Sequence, residues 1–266
     1  MFENLVTELK FRGYEAEEVT LNKNGVPHYG IRINNGSNVL PVVYPTATAT
    51  VDSLIEFIEK NRTPDFGEID ICNWEYVKDK LVACVCSQDK EDLPHVRKLD
   101  LDVYARVVLD LFPEEAGMTS AKVTDPLLNA WGKTIDEVME VATENSFKDL
   151  IICHMCEAIK DLLPDDFPEE LLPSESDYPM YVISNAGKVN GAINMFNPKV
   201  FEKLREKLGE DFVILPSSLH ECIAVPYSEE ADYSSLVAEV NTTQVAEVDR
   251  LSDTIYRFKD GELAIA

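Results

Sequence analysis

Two short apolar runs near the end of the chain flank a polar segment. Residues 212–215 (FVIL) and 222–225 (CIAV) have the length and the β-branched content of buried strands. Pro216 has no backbone N–H to donate, so we expect the first strand to end there. A polar group left unpaired between buried strands costs about 1–3 kcal/mol. The segment 217–221 (SSLHE), which we call the polar knot, is therefore the best candidate for a site in this sequence.

The first half of the chain mixes helical and strand periodicity. Apolar residues recur at helical spacing from Phe2 to Leu9, and Gly13 is typical of a helix end. Asn24-Gly25 supplies the positive φ angles of a two-residue hairpin turn. The further predicted elements are strands over 15–21, 29–33, 39–44, 81–86 and 101–112, helices over 51–61 and 73–80, and a charged loop over 88–98.

The second half has clear signals for the starts of helices. Thr134 and Glu137 have the spacing of a capping box, and Asn197-Pro198 is typical of a helix start. Residues 161–177 hold seven acids, no bases and three prolines, which indicates an exposed irregular loop. The predicted elements are a strand over 118–123, helices beginning near 126 and 134 and spanning 147–163, a hairpin of strands 180–184 and 189–196, helices over 198–208 and 233–240, and a closing hairpin of strands 255–258 and 262–265.

This order of hairpins and helices predicts an α+β fold of antiparallel sheets with helices packed mainly on one face. Pro113 to Gly117 (PEEAG) is the expected hinge. We therefore expect an N-terminal α+β subdomain over 1–112, a helical connector with the acidic, proline-containing loop over 113–178, and a C-terminal α+β subdomain over 179–266.

Composition favours a soluble chain in a reducing compartment. No apolar run approaches the length that crosses a membrane, and the first residues lack the pattern of a signal peptide. The six cysteines lie in apolar-patterned segments, which favours reduced, buried thiols over disulfides. We therefore expect a cytoplasmic protein with no membrane contact.

The net charge of −25 is unevenly distributed. Residues 1–112 carry 12 basic and 19 acidic side chains, whereas residues 113–266 carry 12 and 30, a net charge of −18. Such a surface repels phosphate backbones, so we expect no direct binding to nucleic acid. Solubility explains the charge, and the alternatives are mimicry of nucleic acid or docking to a basic protein partner.

The LPSS-x-HE run at 215–221 is the most distinctive part of a pattern that extends from the hairpin at 23–25 to the last third of the chain. In this pattern the chain resembles a bacterial family, mostly from gut anaerobes, known as a domain of unknown function. The further matching segments are 42–44 (VVY), 181–185 (YVISN), 190–192 (NGA), 212–214 (FVI), 240–243 (VNTT) and 251–256 (LSDTIY). The resemblance implies a bacterial origin and a common fold, and it carries no chemistry.

The polar knot has the residue types of a hydrolase site. A serine nucleophile, Ser217 or Ser218, needs a histidine base within about 2.6–3.2 Å and a carboxylate that orients the base. In an extended chain Ser218 and His220 point to the same face, whereas Glu221 points away. The alternative is a structural bend in which the hydroxyls and His220 bond to backbone groups. The sequence contains no G-x-S-x-G elbow.

The cysteines are the weaker candidates, for a metal site. Cys84 and Cys86 together with Cys153 and Cys156 supply four thiols, the number that a structural zinc ion takes. However, Cys84 and Cys86 fall on a predicted strand and the other pair on a predicted helix, whereas zinc ligands usually lie on turns. Residues 185–191 (NAGKVNG) lack the spacing of a nucleotide-binding loop, so we expect no cofactor.

Two functions remain open from the sequence alone. The first is a non-enzymatic binding or interaction protein that contacts a basic partner through its acidic second half. The second is a small-molecule hydrolase that uses Ser217 or Ser218 with His220. The surroundings of His220 distinguish these two hypotheses, because a hydrolase needs the His220 ring in an open cleft.

Overall fold

The chain folds into three antiparallel sheets with helices packed against them, which confirms the expected α+β class. The structure is a computed structural model and describes residues 2–34, 42–60, 69–109, 119–160, 163–164, 179–216 and 218–266. Within these ranges no helix has the length and apolar character needed to cross a membrane.

The N-terminal sheet is a meander with two helices on one face. Its elements are α1 (Glu3–Phe11), β1 (Glu15–Lys23), β2 (Val26–Asn34), β3 (Val42–Val43) and α2 (Val51–Lys60), with strand order β1-β2-β3. The predicted hairpin turn is confirmed, because Asn24 and Gly25 have φ angles of 52° and 80°. Ile31 and Ile33 of β2 pack with Leu9 of α1 in a small core of this sheet.

The middle sheet is built around its longest strand, β6. Its elements are α3 (Trp74–Val77) with a 3-10 turn over Lys78–Lys80, β4 (Leu81–Ser87), β5 (His95–Lys98), β6 (Leu101–Leu109) and β7 (Thr119–Lys122). Strands β4 and β5 flank β6, and β7 also pairs with β6. The predicted loop over 88–98 is wrong at its end, because residues 95–98 pair with residues 101–104 across a tight turn.

The C-terminal sheet has six strands in the order β13-β12-β10-β11-β9-β8. Helices α4 (Asp125–Trp131) and α5 (Ile135–Lys148) precede it. Its elements are β8 (Leu150–His154), α6 (Met155–Lys160), β9 (Tyr181–Asn185), a 3-10 helix over Gly191–Phe196, α7 (Pro198–Leu208), β10 (Phe212–Leu215), β11 (Cys222–Pro226), α8 (Tyr233–Thr243), a 3-10 turn over Glu247–Asp249, β12 (Tyr256–Lys259) and β13 (Glu262–Ile265).

The predicted helix over 147–163 is wrong in its first part, whereas residues 155–160 do form a helix, α6. Helix α5 ends at Lys148, and residues 150–154 form the edge strand β8, which pairs with β9 from Leu150–Asn185 to His154–Tyr181. The run LIICH contains neighbouring β-branched residues, which suit a strand, and its length is short for a helix. Pairing with β9 therefore decides the structure of this segment.

The predicted return strand over 189–196 is also wrong. Asn190 has a left-handed φ of 53°, and residues 191–196 then form a 3-10 helix. A Cβ at Gly191 would lie 2.6 Å from the His220 carbonyl oxygen and 2.7 Å from the Asn185 nitrogen. Only glycine, which has no Cβ, allows this close approach to the backbone of His220 and Asn185. Strand β9 instead pairs with β8 and β11.

The largest core is shared by the middle and C-terminal sheets. It combines Val103 and Val107 of β6 with Ile183, Phe212 and Phe258 of the C-terminal sheet. The opposite face of that sheet forms a smaller cluster with α8. The predicted division at 113 and 178 remains a prediction. The hinge at 113–117 and nearly all of the acidic loop at 161–177 lie outside the described residues.

We predict that Glu137→Gln removes a pH-dependent contribution to stability. The Thr134 N–H, and then Lys133, lower the pKa of the Glu137 carboxyl from 4.5 to about 2 in the capping box. A lowered pKa stabilises the fold above pH 4.5, and this contribution disappears as the pH falls towards 2. Between pH 4.5 and 2, the wild type should unfold at a higher temperature than Glu137→Gln, and this difference in unfolding temperature should shrink as the pH falls.

The control for this prediction is Glu140→Gln, which changes an exposed acid on the same helix. A constant difference between wild type and Glu137→Gln from neutral pH to pH 2 would contradict the prediction.

We predict that Gly191→Ala destabilises the protein by about 1–3 kcal/mol, the usual cost of overpacking. The added methyl group would meet the His220 carbonyl and Ser184 Oγ, which are held by the sheet. Gly187→Ala is the matched control, because the nearest atom there is 3.9 Å away. Urea unfolding should place the control within about 0.5 kcal/mol of wild type. Equal effects of the two substitutions would refute the close approach at Gly191.

Candidate functional site

The polar knot is a bend closed by its own backbone. Ser218 donates its N–H to the Glu221 carbonyl over 3.1 Å, and its Oγ accepts the His220 N–H over 3.0 Å. Ser218 is buried, and Ser217 lies outside the described residues. The Ser218 hydroxyl therefore satisfies a local backbone group, as serine side chains commonly do in turns.

Both ring nitrogens of His220 have partners. Its Nδ1 accepts the Asn190 N–H over 3.1 Å, and its Nε2 lies 3.4 Å from Asp249 Oδ1. The ring is 35% exposed. Because Nδ1 accepts a hydrogen bond, the proton of the neutral ring lies on Nε2, towards Asp249. In this arrangement the ring bridges the Asn190 backbone N–H and the Asp249 carboxylate, and it offers no base to Ser218.

The knot is tied into the fold on both sides. The His220 carbonyl accepts the Ser184 hydroxyl over 2.8 Å, and the Leu219 N–H donates to the Asp249 carbonyl over 2.8 Å. Glu221 contributes its backbone carbonyl to the bend. The carboxylate beside His220 is therefore Asp249, which the sequence did not indicate, because it lies 29 positions further along the chain.

A second polar centre lies at the tip of the first hairpin, residues Asn22–Gly25, which we call the hairpin tip. Asn24 is only 7% exposed. Its N–H donates to Glu91 Oε1 over 2.7 Å, and its side-chain nitrogen donates to the carbonyls of Val248 and Arg250 over 3.1 and 2.6 Å. Asn22 Nδ2 donates to the Lys90 carbonyl over 2.6 Å. The hairpin tip thus joins the N-terminal sheet to the other two sheets.

A cleft of about 320 Å³ opens beside the hairpin tip, and we call it the junction cleft. Asn241 is 3% exposed and donates from Nδ2 to Ser252 O over 3.0 Å and to Asp253 Oδ1 over 2.8 Å. The side-chain oxygens of Asn24 and Asn241 are buried and have no partner within the described chain. The cleft is lined by residues 24–26, Ser87, Lys90, Asn241, Glu247 and residues 250–253.

Other buried polar groups near the site have complete structural roles. Asp102 is 2% exposed and accepts Arg97 Nε over 2.7 Å. Asp100 accepts the hydroxyls of Tyr256 and Thr254 over 2.8 and 2.6 Å. Burial raises the pKa of the Tyr256 hydroxyl far above its usual value, so this group donates at all physiological pH values. These clusters stabilise the sheets, and the Asp100 cluster reaches the lining of the junction cleft through Ser252.

The cysteines are not arranged as a metal site. All six are described and none forms a disulfide, but Cys72 is exposed rather than buried. Burial raises the pKa of Cys84 to about 11 and, with Asp102, that of Cys86 to about 12. Both thiols lie inside the largest hydrophobic core, where they pack as apolar side chains.

The second pair of cysteines lies elsewhere than expected. Cys153 lies on β8 and Cys156 on α6, rather than both on one helix. In the described part of the chain, no group of three or more His, Cys, Asp or Glu side chains is placed to hold a metal ion.

The residues that sequence reasoning missed are those whose partners lie far away in the chain. Asn24 was recognised as a turn residue, but its contacts with Val248 and Arg250 cross more than 220 positions. Asn241 lies in α8 with no distinguishing spacing. The VNTT and LSDTIY segments, which carry part of the family resemblance, do include Asn241 and three further cleft residues, Leu251, Ser252 and Asp253.

Comparison with known proteins finds a family whose model matches nearly the whole chain. No curated protein and no solved structure matches it. The model of one family of unknown function matches residues 3–260, which include the polar knot, the hairpin tip and the junction cleft. The chain therefore belongs to the family of unknown function DUF5688.

Proposed function

We propose that this protein is a non-enzymatic binding protein whose ligand site is the junction cleft. The observation that carries the proposal is the place of the cleft, where segments from three distant parts of the chain meet beside the hairpin tip. Ligand sites prefer such junctions, and a volume of about 320 Å³ falls in the range of small-molecule pockets.

The lining of the cleft favours a small polar ligand. Lys90 and Arg250 bring positive charge, and Glu247 and Asp253 bring negative charge. A ligand with both donors and charged groups complements this mixture, whereas an apolar ligand would leave the charges unpaired. Ligands of this kind bind without covalent chemistry, and the lining contains no activated nucleophile.

The hydrolase alternative has weaker support. A triad needs one ring nitrogen facing the serine and the other facing the carboxylate. Asp249 meets the second requirement for His220, but the other nitrogen accepts the Asn190 N–H. Ser218 Oγ is engaged with the His220 backbone. A hydrolase would have to break both contacts before it acted.

We further propose that the protein works in the bacterial cytoplasm and contacts a basic protein partner. The buried thiols of Cys84, Cys86 and Cys222 support a reducing compartment, and the resemblance to bacterial proteins supports the source. The net charge of −18 in residues 113–266 supports a basic partner. Part of this negative charge lies on helix α5, which carries Asp136, Glu140 and Glu144.

We predict that the wild-type protein binds small polar molecules in the junction cleft and hydrolyses no ester or peptide. Differential scanning calorimetry against a set of charged metabolites should give a ligand that raises the unfolding temperature by several degrees near saturation. The shift should fall in Glu247→Arg, which reverses a charge on the cleft. It should persist in Glu239→Arg, a reversal on the exposed face of α8.

Generic ester and peptide substrates provide the opposing assay. The binding proposal would be overturned in favour of a hydrolase if the wild type turns over one of these substrates and the Ser218→Ala and His220→Ala variants, both correctly folded, do not.

A further inference from the structure

A group of three cations lies where the hairpin tip meets the middle sheet. Arg106 on β6 pairs directly with Lys122 on β7, so their side chains leave the same face of the sheet. Lys122 Nζ donates to the Asn22 carbonyl over 2.9 Å, and Lys23 is the next residue of the hairpin. We call Lys23, Arg106 and Lys122 the cationic seam. None of the three lines the junction cleft.

The charges of the cationic seam are only partly balanced. Lys122 Nζ contacts Glu91 Oε2 over 2.6 Å, and Lys23 Nζ lies 3.9 Å from the centre of the Tyr44 ring. Arg106 makes no side-chain hydrogen bond or ion pair with any described residue, and its Nε is buried without a partner. A buried donor without a partner is costly, and more so on a charged group.

The surrounding groups show the same excess of positive charge. Burial, and then the charges of Arg106 and Lys122, lower the pKa of the Lys23 ammonium. Asp249 raises it, but the Asp249 carboxylate also faces His220. Like charges directly opposed across strands destabilise a sheet. Among the described residues, the carboxylates that act on the cationic seam are Glu91, in contact with Lys122, and Asp249, which is shared with His220.

We infer that the cationic seam binds a small phosphate-bearing anion, with Arg106 as its principal ligand. The three cations outnumber the two carboxylates that act on them, Glu91 and Asp249, and a phosphate anion supplies the missing negative charge. The guanidinium presents a fork of N–H donors that suits phosphate oxygens, and the two ammonium groups add point charges. The ring of Tyr44, 38% exposed beside Lys23, forms one wall of the site.

The structural alternative is that Arg106 extends into solvent and serves only the packing of the seam. The two readings differ in the stability of the protein without ligand. If Arg106 is an anion ligand, then replacing it with a neutral side chain relieves its repulsion with Lys23 and Lys122, and the ligand-free protein loses no stability. If Arg106 is structural, the same replacement destabilises the fold in every buffer.

The test is calorimetric titration and thermal unfolding of the full chain with inorganic phosphate, at constant ionic strength made up with chloride. We expect saturable phosphate binding to the wild type. Arg106→Gln should weaken it at least about tenfold, because a hydrogen bond to a charged group is lost. The phosphate-free variant should unfold at the same temperature as wild type or higher. Lys23→Gln should weaken binding less.

Arg205→Gln is the matched control, since Arg205 is an exposed arginine already paired with Glu210. It should bind phosphate like wild type. Any stabilisation that it shares with the other variants measures the general effect of phosphate salts on protein stability. Acetate in place of phosphate should give no saturable binding. The inference is overturned if phosphate does no more than acetate, if Arg106→Gln binds phosphate normally, or if that variant is destabilised equally in every buffer. Because the seam and the cleft share no lining residue, either result leaves the cleft proposal to its own test.

Discussion

The fold depends on one buried amide at the tip of the first hairpin. Asn24 adopts the left-handed conformation of the turn, and its side chain then reaches the carbonyls of Val248 and Arg250. Glu91 accepts its N–H and also contacts Lys122, so a single carboxylate joins the hairpin to the middle sheet. Buried polar groups are expensive unless paired, and these contacts are therefore specific as well as stabilising. They connect the beginning of the chain to its end.

This constraint explains where polar chemistry collects in the protein. The segment from Glu247 to Ser252 carries the carbonyls that receive Asn24, the carboxylate beside His220 and part of the junction cleft. The polar knot and the hairpin tip are thus both held by this segment. With the His220 ring engaged in this way, the knot acts as a fold element, and the open space beside the hairpin tip is the better place for a ligand.

Local signals predicted the parts of the fold that depend on neighbours in sequence. The capping box of Thr134 and Glu137, the Asn197 cap and the Asn24-Gly25 turn all formed as expected, because each is completed within four residues. The run LIICH was wrongly predicted as helix, since a short apolar run fits both periods and only β9 decides between them. The 3-10 helix at Gly191 depends on the distant His220 carbonyl. Asp249 and Asn241 had no local signal, because their partners are brought close only by the tertiary fold.

The most direct test of this account is hydrogen exchange of wild type and Asn24→Gly. Glycine keeps the positive φ angle and removes the amide, so the Val248 and Arg250 carbonyls lose their donor at a cost of about 1–3 kcal/mol. Asp260→Gly is the control, because Asp260-Gly261 forms the same kind of exposed turn, with φ angles of 54° and 88°. The account predicts faster exchange in β1, β2 and residues 247–252 of Asn24→Gly, with β6 unchanged and the control like wild type. Equal exchange in Asn24→Gly and Asp260→Gly would contradict it.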